Sequence, residues 1–121
     1  MEANFQFDFE KLKVYQFALD FIDEIFEIYK KLSQEYKYSL GDNLLRAGLS
    51  IANNLAEGSG KKSKKEKGRY YGTSFDSTRE CISVFNVLKR QRLIKEEKYI
   101  KLRRDGREIT SMIRGLIDSL V

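Results

Sequence analysis

The sequence predicts an all-α protein, an up-down-up-down antiparallel four-helix bundle in which residues 1–121 form a single domain. Three observations predict this fold. The chain has no proline, the residue that most strongly interrupts helices. Apolar residues recur at intervals of three and four in four segments, and no segment shows the period-two alternation of a strand. The four predicted helices cover about residues 8–33, 40–57, 63–90 and 95–120. Because the connections between them are short, neighbouring helices are expected to run antiparallel.

The first predicted helix begins near Asp8 and carries an apolar residue every three or four positions, which indicates a buried face. This stripe comprises Leu12, Tyr15, Leu19, Ile22, Phe26 and Tyr29. A second line, Ala18, Ile25 and Leu32, widens this face, and Phe17, Phe21 and Ile28 lie further round the same helix. Because one neighbouring helix would not cover that much apolar surface, either this helix is central in the fold or Phe17, Phe21 and Ile28 contact another subunit.

The second predicted helix is rich in small apolar residues, which allow close approach of its neighbours. It is expected to begin at Ser39 or Asp42, since both residue types are good N-caps. Gly58 is expected to end it in the left-handed conformation that glycine adopts most easily.

Three polar residues, Arg46, Ser50 and Asn54, lie at positions i, i+4 and i+8 of this second helix and therefore form a line along one side of it. A buried charge needs a partner, so Arg46 is expected to pair with Glu57 or Glu80. These five residues are therefore predicted to form a structural polar network. A catalytic role for Glu57 and Glu80 is the alternative, and it is less favoured because no nucleophile or metal-ligand set accompanies them.

The third and fourth predicted helices follow from a cap and from spacing. Ser63 and Glu66 have the Ser-x-x-Glu form of a capping box, which marks the start of the third helix. Its expected core stripe comprises Tyr71, Phe75, Thr78, Ile82 and Phe85. The stripe of the fourth helix comprises Tyr99, Leu102, Gly106, Ile109, Ile113, Leu116 and Leu120.

The residue inventory excludes several classes of site. The chain has no histidine and one cysteine, Cys81, so zinc sites, Cys-His pairs and Ser-His-Asp triads are excluded. We therefore predict a protein that is not an enzyme and needs no metal or other cofactor. Cys81 has no partner for an intrachain disulfide, and the chain shows neither a secretory signal nor a membrane-spanning apolar run. These features predict a cytoplasmic protein.

Basic residues concentrate in two blocks, although the net charge is only +5. Residues 61–69 hold six basic side chains and one acidic one, and residues 89–107 hold nine basic and three acidic ones. Such blocks favour binding of nucleic acid through its phosphates. The candidate residues are Lys61, Lys62, Lys64, Lys65, Lys67, Arg69, Arg90, Arg92, Arg103, Arg104 and Arg107.

Each basic block also has a simpler interpretation. The first can be an exposed hinge between helices, and the second can be a solvated helix surface. A P-loop is excluded, because Lys62 follows Gly60 and Lys61 where a hydroxyl is required, and because a helix precedes them. Lysines at the start of a helix oppose its dipole, however, and a bound anion would relieve that cost.

Several segments together resemble a known family. They are Phe9-Glu-Lys-Leu-Lys-Val-Tyr-Gln-Phe-Ala-Leu19, Leu45-Arg-Ala-Gly-Leu-Ser-Ile-Ala-Asn-Asn-Leu-Ala-Glu-Gly-Ser-Gly60, Ser63-Lys-Lys-Glu66 and Ser77-Thr-Arg-Glu80. Nearly the whole chain resembles the four-helix bundle proteins encoded in intervening sequences of bacterial large-subunit ribosomal RNA genes. Ala52 stands where that family usually has proline, so a kink in the second helix is not expected.

The resemblance implies a bacterial cytosolic bundle that assembles into rings, typically pentamers. It also implies kinship with the accessory protein of diversity-generating retroelements, a basic pentamer associated with reverse transcriptase and RNA. Together with the charge pattern, it predicts a non-enzymatic homo-oligomer that binds RNA through its basic blocks. A protein-interaction scaffold without a nucleic-acid role is the alternative.

Overall fold

The computed structural model describes residues 5–121 and contains four long helices. Their bounds are Lys13–Lys31 for α1, Asp42–Ser59 for α2, Lys64–Arg90 for α3 and Glu96–Asp118 for α4. The described residues include no strand. The predicted all-α class and the number of long helices are confirmed, and most helix ends lie within a few residues of their predicted positions.

The four helices form an antiparallel bundle. Each helix packs against the next one in the sequence, and α4 closes the bundle against α1. Asn43 near the start of α2 donates to Glu80 of α3. Further along α2, Ser50 forms a hydrogen bond with Ser77, so residue numbers rise on α2 while they fall on α3. The predicted up-down-up-down arrangement is confirmed.

The core is apolar and contains residues from all four helices. Its largest fully buried side chains are Phe21, Phe85, Ile25, Leu44, Ile51, Leu55, Leu88, Leu102, Ile109 and Ile113. The rings of Phe21 and Phe85 meet edge to face at 5.7 Å between centroids. The core positions predicted for α4 from Leu102 to Ile113 are buried as expected.

The face that α1 buries differs from the predicted one. Its buried residues are Val14, Ala18, Phe21, Ile22, Ile25 and Ile28. Phe26, which belongs to the predicted stripe, is 38% exposed, and Tyr29 is only half-buried. The predicted second line, Ala18, Ile25 and Leu32, is buried as expected, but the buried face is centred about 100° round the helix from the predicted main stripe. The reason is that α1 packs against both α2 and α4, which cover the second line together with Phe21 and Ile28.

The start of α1 was also predicted too early. Asp8–Lys11 form a turn of 3₁₀-helix, and Leu12 has an extended backbone before α1 begins at Lys13. The Glu10 carboxylate accepts a 2.8 Å hydrogen bond from the backbone N–H of Phe7, which stabilises this separate turn.

A continuous right-handed helical segment leads into α2. It begins with one turn over Gln34–Tyr36 after the extended Ser33, and it continues as a π-helical segment over Lys37–Gly41. Ser39 therefore lies inside the helical segment, and Asp42 follows a residue that is already helical. Both predicted N-caps are wrong, because the chain turns at Leu32 and Ser33 instead.

Gly58 does not take the left-handed conformation that we predicted, since no described glycine has a positive φ. It lies within α2, where a Cβ atom would stand 2.8 Å from Cε1 of Tyr71 on α3. Its role is to allow close packing of α2 and α3. Ser59 ends α2, and helix α2 passes through Ala52 without interruption.

The two ends of α3 have recognisable caps. The hydroxyl of Ser63 accepts a 3.1 Å hydrogen bond from the backbone N–H of Glu66, which confirms the predicted cap. At the other end, Arg92 has a φ of 61°. The N–H groups of Arg92 and Leu93 donate to the carbonyls of Lys89 and Leu88, respectively. This is the Schellman pattern, with arginine where glycine is usual.

Candidate nucleic-acid interface

A groove of about 590 Å³ runs between α3 and α4 on the outside of the bundle. Its lining residues are Arg79, Ile82, Ser83, Asn86, Arg103, Arg104, Gly106, Arg107 and Thr110. Four of these are exposed arginines, and no acidic side chain is among the lining residues. The groove is therefore a uniformly cationic concave surface within residues 5–121.

Helical spacing explains why these side chains share one groove. On α3, Arg79, Ser83 and Asn86 follow one another at i, i+4 and i+7. On α4, Arg103 and Arg107 are spaced in the same way. Because the helices are antiparallel, the two polar lines face each other across the contact of Ile82 with Gly106.

Asn86 orients the cationic side chains at one end of the groove. Its Oδ1 accepts a hydrogen bond from Nη1 of Arg103 at 2.9 Å and another from the hydroxyl of Tyr99 at 2.8 Å. The guanidinium of Arg103 also lies 5.6 Å from the centre of the Tyr99 ring. Arg103 is thus held on two sides by groups that leave its charge uncompensated.

Among residues 5–121, lysines and arginines differ in whether they form ion pairs. Every cation in these pairs is a lysine, and no arginine takes part. The paired lysines are Lys61, Lys89, Lys98 and Lys101. The arginines of the groove consequently have no carboxylate partner among residues 5–121, although arginine is the residue type best suited to bind carboxylate or phosphate with two parallel hydrogen bonds.

Two lysines of the second block stabilise the bundle instead of facing the groove. Lys98 and Lys101 of α4 both bind the Glu24 carboxylate of α1, and the Lys101–Glu24 distance is 3.2 Å. Hydrogen bonds from these lysines lower the pKa of Glu24, with that of Lys98 the strongest cause. The hydrogen bond with Asp105 is the main cause that raises the pKa of Lys101. These lysines serve the contact of α1 with α4.

In the first basic block, residues 61–69, some side chains also bind other groups of the bundle. The ammonium of Lys67 donates to the backbone carbonyl of Ser59 at 2.8 Å, where α2 ends. Lys61 lies 3.7 Å from Glu57 and 5.1 Å from the centre of the Tyr70 ring. Lys62, Lys64 and Lys65 are exposed. This block therefore combines a structural part with an exposed group of lysines.

Comparison with known proteins gives the family. Residues 10–115 match the model of a family described as 23S rRNA-intervening sequence protein. The chain belongs to this intervening-sequence family. This assignment confirms the resemblance seen in the sequence.

This intervening-sequence protein is similar to a solved structure from Bacteroides thetaiotaomicron, that of a protein of unknown function from the S23 ribosomal protein family. The two chains are 25% identical, with a TM-score of 0.80. The similarity covers 87% of this chain and 95% of the other. No curated protein matches the chain.

The polar network of this intervening-sequence family member is smaller than predicted. The hydroxyls of Ser50 and Ser77 lie 2.7 Å apart, and the side-chain amide of Asn54 donates to the hydroxyl of Ser50 at 2.9 Å. Arg46 is exposed and takes part in none of the ion pairs of the described residues. Its predicted pairing is wrong, because its side chain points to solvent and needs no partner.

The two carboxylates of the predicted network also lie apart from it. Glu57 is exposed and pairs with Lys61, whereas Glu80 is exposed and accepts a 2.9 Å hydrogen bond from Asn43. A shallow cavity of about 470 Å³ includes Glu57 but not Glu80 in its lining. The two carboxylates therefore do not form a shared site. Residues 5–121 contain no group of three His, Cys, Asp or Glu side chains placed to hold a metal ion.

The predicted subunit-contact residues separate into two classes. Phe21 and Ile28 are 2% and 5% exposed and belong to the core of their own chain, so their assignment to an interface is wrong. Phe17 is 36% exposed and stays a candidate. Within residues 5–121, no helix is both long and apolar enough to cross a membrane.

Two important residues of the groove, Arg79 and Asn86, are not among the site residues predicted from the sequence. Both lie on α3 between the two basic blocks, in a stretch that is not itself basic. The signal that could have found them is the matched spacing of polar residues on two antiparallel helices. Arg90 and Arg92, which were predicted, lie at the end of α3 and outside the lining of the groove.

Proposed function

We propose that this protein is a non-enzymatic homo-oligomer of the bacterial cytoplasm that binds RNA through the groove between α3 and α4. One observation carries the proposal: four arginines line the groove, and no described carboxylate pairs with them. A guanidinium is less strongly hydrated than an ammonium and binds phosphate oxygens with a planar pair of donors. Such a surface favours a ligand that supplies several phosphates in a row.

Oligomerisation would multiply this cationic surface. Phe17 on α1 is 36% exposed, which leaves a large apolar ring on the surface of the bundle. We propose that Phe17 contacts a second copy of the chain, with the pentamer typical of the resembling proteins as the expected assembly. Several linked binding surfaces would strengthen binding to a long polyanion far beyond the affinity of one subunit.

Binding to a mixed RNA at two salt concentrations tests the proposal. We expect binding at low salt that weakens steeply as salt rises, because each phosphate contact releases counterions. An Arg79→Gln/Arg107→Gln variant should bind more weakly, while a Lys11→Gln/Lys30→Gln variant removes the same charge from exposed positions outside the groove. Absence of binding at low salt, or binding that ignores salt, would contradict the proposal. Light scattering gives the oligomeric mass of each variant.

Exposed aromatic residues near the start of the chain favour the second candidate function, a protein-interaction scaffold. Phe5 and Phe7 are 67% and 59% exposed, and their rings meet edge to face at 5.3 Å between centroids. A partner protein that stays bound after nuclease treatment and is lost in a Phe5→Ser/Phe7→Ser variant would support the scaffold.

A further inference from the structure

We infer that the α3–α4 groove takes double-stranded RNA, which it recognises by its phosphates and not by its bases. This inference rests on the proposed function and narrows its ligand. It starts from the distribution of aromatic side chains, because proteins that hold single strands combine a basic groove with open aromatic rings on which bases stack.

The exposed aromatic rings of the described residues lie outside the lining of the groove. Among the described residues, the exposed aromatic side chains all lie between residues 5 and 38. They are Phe5, Phe7, Phe17, Phe26 and Tyr38. The groove itself is lined by residues from 79 to 110, none of which is aromatic.

Three aromatic rings of α3 and α4 already lie against cations of the same chain. The guanidinium of Arg114 lies 5.0 Å from the centre of the Phe75 ring. The guanidinium of Arg69 lies 4.4 Å from the centre of the Tyr70 ring.

Tyr99 is the third of these rings, and both its face and its hydroxyl are engaged. Lys89 and Arg103 lie 5.8 and 5.6 Å from the ring centre. The hydroxyl donates to Asn86 at 2.8 Å. A base could stack on Tyr99 only by displacing these cations, which are the groups that attract the phosphates.

A groove without free aromatic rings gains no stacking energy from the unstacked bases of a single strand. A single strand would lose conformational entropy on binding without gaining stacking in return. A duplex is already ordered, and it presents two phosphate backbones and the 2′-hydroxyls of its minor groove, the features by which duplex RNA is recognised. The uncompensated Arg79, Arg104 and Arg107 fit such a ligand.

Competition between two RNAs with equal numbers of phosphates tests the inference. The probes are a duplex of about 20 base pairs, longer than the roughly 16 that known duplex-binding domains span, and an unstructured uridine tract. We expect the duplex to bind about tenfold more tightly at moderate salt. The Arg79→Gln/Arg107→Gln variant should lower the slope of log affinity against log salt by about 2 for the duplex. The Lys11→Gln/Lys30→Gln variant should retain the wild-type slope.

The outcomes distinguish the inference from the proposed function. Equal or tighter binding of the uridine tract would overturn the duplex preference and leave RNA binding intact. Binding of neither RNA would overturn both. A duplex preference that persists unchanged in the groove variant would overturn the assignment to this groove. Capture of an acidic protein in place of either RNA would also contradict the inference.

Discussion

Ile82 of α3 occupies the space that a side chain on Gly106 of α4 would need. A Cβ atom at Gly106 would lie 2.5 Å from Cδ1 and 3.3 Å from Cγ1 of Ile82. Contacts this short are inside van der Waals separation, so a side chain at Gly106 would force Ile82 to move. The same contact forms the floor of the arginine groove.

Gly106→Ala should therefore disturb both packing and the groove. We expect it to be less stable than a Gly72→Ala control by about 1 to 3 kcal/mol, the usual cost of overpacking. At Gly72 nothing lies within 4 Å of an added Cβ, so alanine should stabilise α3 there. Urea unfolding gives both values. Adding Ile82→Val, which removes Cδ1, should recover part of the loss, and no recovery would contradict the contact.

Arg92→Gly should stabilise the protein. The φ of 61° at Arg92 is unfavourable for a residue with a side chain and natural for glycine. The expected gain is about 0.5 to 1 kcal/mol, less than the full left-handed cost because a cation near the end of α3 is lost. Arg90→Gly, inside the last turn of α3, is the control and should cost about 1 kcal/mol. Chemical denaturation midpoints compare the two.

Glu24→Gln should remove stability at neutral pH but not in acid. Lys98 and Lys101 lower the pKa of Glu24 below its ordinary value of 4.5. The contribution is therefore present above that value and is lost as the pH falls through the folded-state pKa. We expect a loss of about 1 to 2 kcal/mol at pH 7 that shrinks toward zero as the pH falls below the folded-state pKa of Glu24. Glu27→Gln is the control, since Glu27 is 61% exposed and 3.8 Å from Lys98. A pH-independent loss would contradict this account.

Cys81 should be unreactive while the protein is folded. Burial, with a smaller contribution from the charge of Glu80, raises the pKa of its thiol to about 12. The thiolate that attacks thiol reagents is then almost absent at pH 8. We expect a disulfide reagent to modify Cys81 only after unfolding in urea, with Cys81→Ser as the blank. Rapid modification of the native protein would show that the side chain is accessible.

Asn86→Asp should weaken RNA binding without unfolding the bundle. Asn86 Oδ1 already accepts from Arg103 and Tyr99, so a carboxylate keeps both bonds while adding a charge beside Arg103. That charge would neutralise part of the groove, and affinity should fall about tenfold. Asn53→Asp, on the exposed face of α2, is the matched control. Thermal unfolding checks the fold, and unchanged affinity would argue against the groove.

The sequence was sufficient to predict the helices but not the face that α1 buries. Apolar residues that recur at intervals of three and four predict a helix in each of the four segments. On α1, however, Phe26 belongs to the predicted main stripe and Ile25 to the second line, and only packing against α2 and α4 decides that Ile25 is fully buried while Phe26 is 38% exposed. Arg46 illustrates the same limit, because its exposure depends on how α2 is rotated in the bundle.

The candidate site could be predicted only in part for a related reason. Arg103, Arg104 and Arg107 lie in a basic run, so composition was enough to select them. Arg79 joins them only through the antiparallel packing of α3 on α4, since Asp76 and Glu80 are its charged neighbours in the sequence. Whether a lysine is free or paired was likewise decided by another helix, as Glu24 shows for Lys98.

A π-helical turn holds one residue more than the α-helical turn that could replace it. The Lys37–Gly41 segment, which leads into α2, therefore contains one residue more than an α-helical turn would need. Deleting Tyr38, whose side chain is 71% exposed, would let this segment shorten to α-helical hydrogen bonding while Leu44 keeps its place in the core. Loss of one residue from the middle of α2 would instead rotate half the helix by about 100°. Differences in length among relatives should accordingly collect at this point of the chain.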